Sequence, residues 1–209
     1  MVRSSALDPW AKALRHLKKA DPHLKEIIRR VGPCRLEPRE DRVGSLVGAI
    51  VSQQISTKAA ASILDRLHRL AGRPYQPERL LVLDVDALRA CGLSRSKATY
   101  VRNVAAAVAD GSAPVHEFDD WDDEAIIASL TAIKGVGVWT AHMFLIFALN
   151  RPDVFPVGDL GVRVALQRRF GLEAPPAPGD CLELGDSWRP YRSVASWYLW
   201  RSLELRDAE

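Results

Sequence analysis

The stretch LTAIKGVGVWTA, residues 130–141, decides how the rest of the chain is interpreted. One apolar helix is predicted to end near Ile133, two glycines allow the positive φ angles of a tight turn, and a second, almost wholly apolar helix is predicted to begin near Val138. The glycine amides and the start of the second helix can face a phosphate oxygen, and Lys134 adds positive charge at the tip. Such a turn binds a nucleic-acid backbone without reading its sequence. A plain turn between two helices is the alternative.

Helical periodicity extends outward from this hairpin, and the alternating pattern typical of strands is nearly absent. Upstream, apolar spacing and stop signals predict helices over residues 10–20, 23–31, 42–54, 57–71, 84–91 and 96–109. Asp8-Pro9 and Asp21-Pro22 each resemble an N-cap followed by proline at the first helical position. Downstream, helices are predicted over 160–170 and 190–205, with a proline and alanine linker over 173–179. The sequence therefore predicts an all-α protein.

Composition narrows the class of protein. The chain has 209 residues, 47% of them apolar and 26% charged, which excludes a disordered chain, a fibre and a disulfide miniprotein. Its three cysteines lie far apart without a CxxC pair, so we expect reduced, unligated thiols. The longest apolar run, residues 138–149, is too short to cross a bilayer, and the N-terminus has no apolar signal core. We expect a cytoplasmic monomer, nucleoid-associated in a bacterium, with no membrane partner. The net charge of +3 argues only weakly for a polyanion.

Two acidic features need interpretation. The run DDWDDE at residues 119–124 could hold a metal, but acids also collect in the first turn of a helix, and no histidine or second carboxylate cluster lies at ligand spacing. We favour the helix start. Asp159 follows the proline-punctuated loop at residues 151–158 and precedes a predicted helix. From the residues alone, an N-cap and a catalytic carboxylate explain Asp159 equally well.

The order of these features resembles a known family. A hairpin followed by a Gly/Pro-rich loop and an aspartate, FPVGD at residues 155–159, resembles the helix-hairpin-helix (HhH-GPD) DNA glycosylase superfamily. The segments GAIVSQQIS (48–56) and GLSRSKA (92–98) also look like family segments. The C-terminal residues 188–200 are similar to the AlkA branch, the 3-methyladenine DNA glycosylases II. The resemblance covers about residues 42–205, in the family's order.

The resemblance implies an all-α fold of two lobes with the active-site cleft between them. A central lobe would comprise residues 42–140, and both chain ends, 1–41 and 141–209, would form the second, with the hairpin at the boundary. The chain begins too close to the first shared segment to hold the β-rich N-terminal domain of the longer AlkA proteins, so we expect a short form. The implied activity is that of a monofunctional DNA N-glycosylase. It would flip and hydrolytically excise alkylated purines of the 3-methyladenine and 7-methylguanine type from duplex DNA in base excision repair.

The resemblance also assigns the site. Asp159 would stabilise the oxocarbenium-like transition state. Trp139 and Trp200 would line the base pocket, where a cationic purine stacks on indole faces, although core packing is the commoner fate of such tryptophans. Met143 stands where the longer AlkA proteins carry an aromatic residue, so the pocket is expected to be wider or more adaptable. Gly158 stands where those proteins carry a second acid.

DNA contacts follow from the same positions. Gln54 is the candidate side chain that fills the space left by the flipped base, while Gln53 either joins it or is a buried hydrogen-bonding residue at a helix end. The backbone would be held by hairpin residues, namely Lys134, Gly135, Val136, Gly137 and Thr140. Family hairpins also hold a monovalent cation, Na⁺ or K⁺, through main-chain carbonyls, which here belong to Thr131, Ile133 and Val136. No cofactor is expected to be required.

Two activities of relatives are not expected. Trp139 stands where bifunctional relatives carry the lysine that forms a Schiff base, so no lyase activity is expected. Iron–sulfur relatives have four C-terminal cysteines, whereas this chain has only Cys181 in that region. Two alternatives remain open: a non-enzymatic, sequence-neutral DNA-binding module, and a glycosylase for deaminated or oxidised bases.

Overall fold

The computed structural model describes residues 9–205, and over that range the chain is helical without a β-strand. The all-α prediction is confirmed. The α-helices are α1 (Ala11–Ala20), α2 (Pro22–Val31), α3 (Arg42–Ser52), α4 (Thr57–Ala71), α5 (Pro77–Val82), α6 (Val85–Ala90), α7 (Arg95–Ala109), α8 (Asp123–Thr131), α9 (Val138–Phe147), α10 (Leu160–Phe170), α11 (Pro178–Leu184) and α12 (Arg192–Ser202). Short 3-10 turns lie at Phe118–Asp120 and Asp186–Trp188.

The chain divides into two compact units. The central unit comprises residues 37–150, and the terminal unit combines the chain up to residue 36 with the chain from residue 151. The central unit was expected to comprise residues 42–140. It extends further toward the C-terminus because the whole of α9 belongs to it. Packing explains the difference, since α9 contacts α3 and α8, which both belong to the central unit.

Helix α3 organises the central unit. It is apolar around its whole circumference, and residues 43 and 45–51 are buried. Helices α4, α7 and α9 pack against α3, and α9 also packs against α8. Asp41 begins α3 by accepting a hydrogen bond from the Gly44 amide (2.7 Å), and the same carboxylate accepts one from the Tyr75 amide (3.1 Å). The loop after α3 and the first turn of α9 are therefore carried by two buried helices that pack on each other.

In the terminal unit, α12 packs against α2 and α10, and α1 packs against α2. Asp21 lies in its core, with 2% of its surface exposed. Its carboxylate caps α2 by accepting two amide hydrogen bonds (2.9 and 3.1 Å) and also accepts one from the Trp188 indole N–H (2.8 Å). The same carboxylate forms a buried ion pair with Arg169, whose guanidinium stacks over the Phe170 ring at 3.9 Å. Asp21 thus ties α2 to α10 and to the turn before α12.

Most of the predicted helices are present. Helices α4 and α10 have the predicted bounds, and α2 begins at the predicted Asp21 cap. Asp8 lies outside the described residues, so the first predicted cap is not tested; α1 begins after Trp10. The acidic run behaves as expected of a helix start, because Asp122 caps α8 through the Ala125 amide (2.7 Å). No cluster of potential metal-ligating side chains occurs in residues 9–205.

Other features differ from the predictions. Helix α3 ends at Ser52 rather than at residue 54, and α5 and α11 were not predicted. Helix α11 begins inside the expected linker, where Pro178 occupies its first turn. Within the described part of the chain no disulfide joins the cysteines. None of the described helices has the length and hydropathy that crossing a membrane requires.

The buried ion pair between Asp21 and Arg169 leads to a testable prediction about stability. Asp21→Asn leaves Arg169 buried without its counter-charge, so we expect the free energy of unfolding to fall by about 3 kcal/mol. Burial raises the pKa of the Asp21 carboxyl, but hydrogen bonds from Arg169, the Leu24 amide and Trp188 together hold the pKa below its usual value. The stability from this carboxylate is therefore full at neutral pH and is lost as the pH falls through the lowered pKa of the folded state.

Thermal unfolding followed by circular dichroism between pH 7 and acid measures both effects. The Asp21→Asn variant should unfold at a lower temperature at pH 7, and its difference from the parent should shrink in acid. The control is Asp65→Asn, which breaks an exposed pair with Arg69 and should change the free energy of unfolding by less than about 0.5 kcal/mol. Equal effects of the two substitutions at pH 7 would contradict the assignment.

Candidate functional site

The predicted hairpin is present in the structure. Helix α8 ends at Thr131, α9 begins at Val138, and the turn is closed by a hydrogen bond from the Val136 amide to the Ile133 carbonyl (3.0 Å). Gly135 has φ +104°, and a Cβ at this position would lie 2.1 Å from Cγ of Tyr100 on α7. Both the backbone conformation and the contact with the ring therefore require glycine at residue 135.

The start of α9 is open. Gly137 is its N-cap and has no side chain to bond the first-turn amides, and a Cβ there would meet no atom within 4 Å. The positive end of the helix dipole coincides with these amides. Lys134 is exposed at the tip of the turn. Its main-chain carbonyl accepts a hydrogen bond from the side-chain amide of Asn103 (2.9 Å). The tip thus combines one cation with donors that suit an anion.

Two residues expected to contact DNA are instead part of the hairpin's interior. Val136 is 5% exposed, and its amide is used within the turn. Thr140 is 1% exposed, and its hydroxyl accepts a hydrogen bond from Nε2 of Gln53 (3.1 Å). The side chains of Val136 and Thr140 are too buried to contact a phosphate, so direct contacts from these side chains are not supported.

The loop after α3 is joined to this hairpin. Gln53 is the C-cap of α3, and its Nε2 also lies 3.5 Å from the Gly135 carbonyl oxygen. Of the two alternatives for Gln53, the structure shows the hydrogen-bonding residue at a helix end. Gln54 is exposed and has φ +55°, a backbone angle that residues other than glycine rarely adopt. The neighbouring glutamines are therefore different: one is anchored, and the other projects from the loop.

Trp139 and Met143 line one pocket of about 290 Å³, between α3, α4 and α9. This volume is close to the lower end for small-ligand pockets, about 300 Å³. Trp139 is half-buried and Met143 is 8% exposed. Arg39 also lines the pocket, and α3 and α4 contribute small residues, namely Gly48, Ala49, Ser52, Thr57, Ala60 and Ala61. The pocket can therefore accept a flat group alongside the Trp139 indole.

Asp159 is both a helix cap and the partner of a tryptophan. Its Oδ1 accepts a hydrogen bond from the Val162 amide (2.8 Å) and another from the Trp200 indole N–H (2.8 Å). Gly161 lies beside both groups, since a Cβ there would be 3.0 Å from Oδ1 and 3.1 Å from Cδ1 of Trp200. The half-buried carboxylate is thus oriented by donors from α10 and α12.

The loop before Asp159 is fixed to the start of α12. The Val154 amide donates to the Ser193 hydroxyl (2.9 Å), and the Ser193 amide donates to the Pro152 carbonyl (3.0 Å). Asp153 accepts a hydrogen bond from Arg192 (2.7 Å). These contacts hold the loop that delivers Asp159 to the helix from which Trp200 projects.

The candidate residues therefore form two groups, each within one unit. Asp159 and Trp200 belong to the terminal unit, and the hairpin, the glutamine loop and the Trp139 pocket belong to the central unit. The sequence interpretation missed the contribution of α7. Lys97 donates to the main-chain carbonyls of Val51 and Gln53. Tyr100 and Asn103 support the hairpin. The only available signal was that Lys97 lies in the segment 92–98, which gives no contact partner.

Comparison with known proteins identifies the family. A model of the HhH-GPD superfamily of base excision DNA repair proteins matches residues 47–190. DNA-3-methyladenine glycosylase 1 of Schizosaccharomyces pombe is 35% identical over 202 residues, which cover 94% of this chain and 89% of the relative.

Solved structures agree with this match. The 3-methyladenine DNA glycosylase of Schizosaccharomyces pombe in complex with abasic DNA has a TM-score of 0.88 at 34% identity, covering 95% of this chain and 100% of the other. A DNA-3-methyladenine glycosidase from Bacillus halodurans has a TM-score of 0.74 at 35% identity, covering 97% and 92%. The fold and the hairpin, loop and aspartate define a helix-hairpin-helix protein. This chain belongs to the HhH-GPD superfamily of base excision DNA repair proteins, as the sequence predicted.

The contact between Gly135 and Tyr100 predicts different tolerance at the two hairpin glycines. Gly135→Ala introduces both a positive-φ penalty and an overlap with the ring, so we expect a loss of about 3 kcal/mol in the free energy of unfolding. Gly137→Ala has space and a negative φ, and alanine is only a poorer N-cap than glycine, so we expect a loss of about 1 kcal/mol or less. Urea unfolding measures both. Similar losses for the two variants would show that the ring contact does not constrain the turn.

Proposed function

We propose that this protein is a monofunctional DNA N-glycosylase that hydrolyses the bond between C1′ and an alkylated purine in duplex DNA. The observation that carries the proposal is the carboxylate of Asp159, oriented by the Val162 amide and the Trp200 indole at 2.8 Å each. Support comes from the relatives, since the similar Schizosaccharomyces pombe protein is named a DNA-3-methyladenine glycosylase and a similar structure holds abasic DNA.

The chemistry requires one well-placed carboxylate. As the C1′–N bond breaks, the electron pair leaves with the base and positive charge develops on the sugar. A fixed carboxylate stabilises this charge, and water then adds to C1′ and releases a proton. A purine that carries an alkyl-induced positive charge departs neutral, so no general acid is needed. In this proposal Asp159 supplies the negative charge, and Trp200 keeps its carboxylate oriented.

The pocket beside Trp139 supports a flat base, while Arg39 also lines it and its positive charge opposes a cationic one. An indole face attracts a cation through its quadrupole, and a methionine such as Met143 adapts its shape to different alkyl groups. An indole cannot form a Schiff base with C1′, so Trp139 supports hydrolysis without strand cleavage. We propose that Trp139 and Met143 contact the flipped base.

The hairpin supports binding to the DNA backbone. We propose that Lys134 and the amides of Gly135 and Gly137 face a phosphate, and that Gln54 fills the space left by the flipped base. The exposed cation, the uncapped first turn of α9 and the exposed, left-handed Gln54 support these roles. Binding through such contacts weakens as salt rises.

Asp159→Asn tests the catalytic role directly. Asparagine caps helices as well as aspartate, so the fold should be kept, whereas excision of methylated bases should slow by about 100-fold or more because the negative charge is lost. Trp200→Phe removes the indole N–H together with part of the ring and should slow excision by about tenfold. The measurement is single-turnover release of methylated bases from alkylated duplex DNA.

The unfolding temperature and the affinity for an abasic-site analogue are the controls, and both should stay near the parent values for Asp159→Asn. Excision by Asp159→Asn at the parent rate would contradict the catalytic assignment. Salt-dependent DNA binding by the parent without release of any base would instead favour the binding module. Release of deaminated bases alone would favour the other glycosylase.

We also propose that the carbonyl oxygens of Thr131, Ile133 and Val136 hold Na⁺ or K⁺, which would place positive charge toward a phosphate. Neutral oxygen donors suit such ions, and the Ile133 carbonyl, which accepts one hydrogen bond in the turn, has a second lone pair. Replacing K⁺ by tetramethylammonium at constant ionic strength should lower the unfolding temperature and weaken DNA binding. Unchanged values of both would refute the cation site.

A further inference from the structure

Lys97 connects α7 to the end of α3. Its Nζ donates hydrogen bonds to the carbonyl oxygens of Val51 and Gln53, both at 2.7 Å. These carbonyls lie where α3 ends, and the last carbonyls of a helix lack partners within the helix. A lysine near a helix C-terminus satisfies such groups and interacts favourably with the helix dipole. Lys97 of α7 therefore caps the C-terminal end of α3.

The position of Lys97 removes part of the water around its ammonium group. It is half-buried, and burial lowers the pKa of its ammonium group. Removing an ammonium from water is unfavourable unless it is well hydrogen-bonded. Both hydrogen bonds go to main-chain oxygens of one short segment, so the interaction fixes the path of the backbone there.

Gln53 is held from two sides. Its carbonyl accepts the hydrogen bond from Lys97, and its side-chain amide donates to the Thr140 hydroxyl at 3.1 Å. Gln54 follows immediately, with φ +55° and an exposed side chain. A non-glycine residue keeps such a conformation only when its surroundings impose it. The surroundings here are the two anchors on Gln53.

We propose that Lys97 is a positioning residue that holds residues 51–54 so that Gln54 is presented to DNA in a fixed conformation. The inference rests on the proposed function, because the space that Gln54 fills exists only when a base has left the stack. Without Lys97 the loop would have to be ordered during binding, and insertion of Gln54 would be disfavoured. Lys97 thus acts through Gln54 and not on the reacting atoms.

A double-mutant cycle separates this role from a general effect. Lys97→Met should slow single-turnover excision of methylated bases by about tenfold or more, as expected when a contacting group is misplaced. Gln54→Ala should slow excision similarly. The combined variant should be no slower than Gln54→Ala alone, because the lysine acts through the glutamine. Lys97→Arg, which keeps two donors, should restore most of the rate, and Lys12→Met, at an exposed lysine of α1, should leave it unchanged.

Two readouts do not depend on excision. Amide hydrogen exchange of residues 52–56 in the free protein should be faster in Lys97→Met and normal in Lys12→Met. Fluorescence of 2-aminopurine beside an abasic-site analogue reports insertion into the duplex, and the increase on binding should fall in Lys97→Met and in Gln54→Ala. If the parent releases no methylated base, the proposed function fails while these two measurements still decide the role of Lys97.

Several results would overturn the proposal. These are multiplicative effects of Lys97→Met and Gln54→Ala on the rate, unchanged exchange of residues 52–56 in Lys97→Met, and a fluorescence increase that survives Gln54→Ala. Circular dichroism checks that each variant folds. If Lys97→Met does not fold, Lys97→Gln, which keeps one donor, replaces it in every measurement with the same expected direction.

Discussion

The contact between Gly135 and the Tyr100 ring is the constraint on which the central unit's site depends. Any side chain at residue 135 would overlap the ring, so α8 and α9 can join in this tight turn only with glycine there. The turn sets the start of α9, and α9 carries Trp139 into the pocket and Thr140 against Gln53. One glycine therefore links the hairpin tip, the pocket and the glutamine loop.

In the proposed reaction, the carboxylate of Asp159 combines a structural role with a chemical one. As an N-cap it accepts the Val162 amide, and through the same oxygen it accepts the Trp200 indole. A cap is fixed by its helix, so the charge needs little reorganisation when positive charge develops nearby. The two interpretations that the residues alone left open, cap and catalyst, are therefore compatible, because the cap provides the orientation that the proposed catalysis needs.

Local signals predicted local structure well. The bounds of α4 and α10 and the cap at Asp21 follow from residues next to each other in the chain. Features that depend on distant contacts were missed or misplaced: α3 ends early where Gln53 is anchored by the hairpin, and Thr140 faces Gln53 instead of solvent. Lys97 was not recognised at all, because nothing in its own segment shows that its ammonium reaches the end of α3. Sequence patterns report which residues are present, whereas side-chain partners across helices require coordinates.

The proposed reaction hydrolyses the base–sugar bond and leaves the strand intact. The most direct measurement is to treat alkylated duplex DNA with the protein and count released bases and strand breaks, before and after alkali. Hydrolysis without a lyase step should give one alkali-labile site for each released base and intact strands before alkali. Strand breaks that accompany base release before alkali would contradict it, since they would require a nucleophile that forms a covalent bond with C1′.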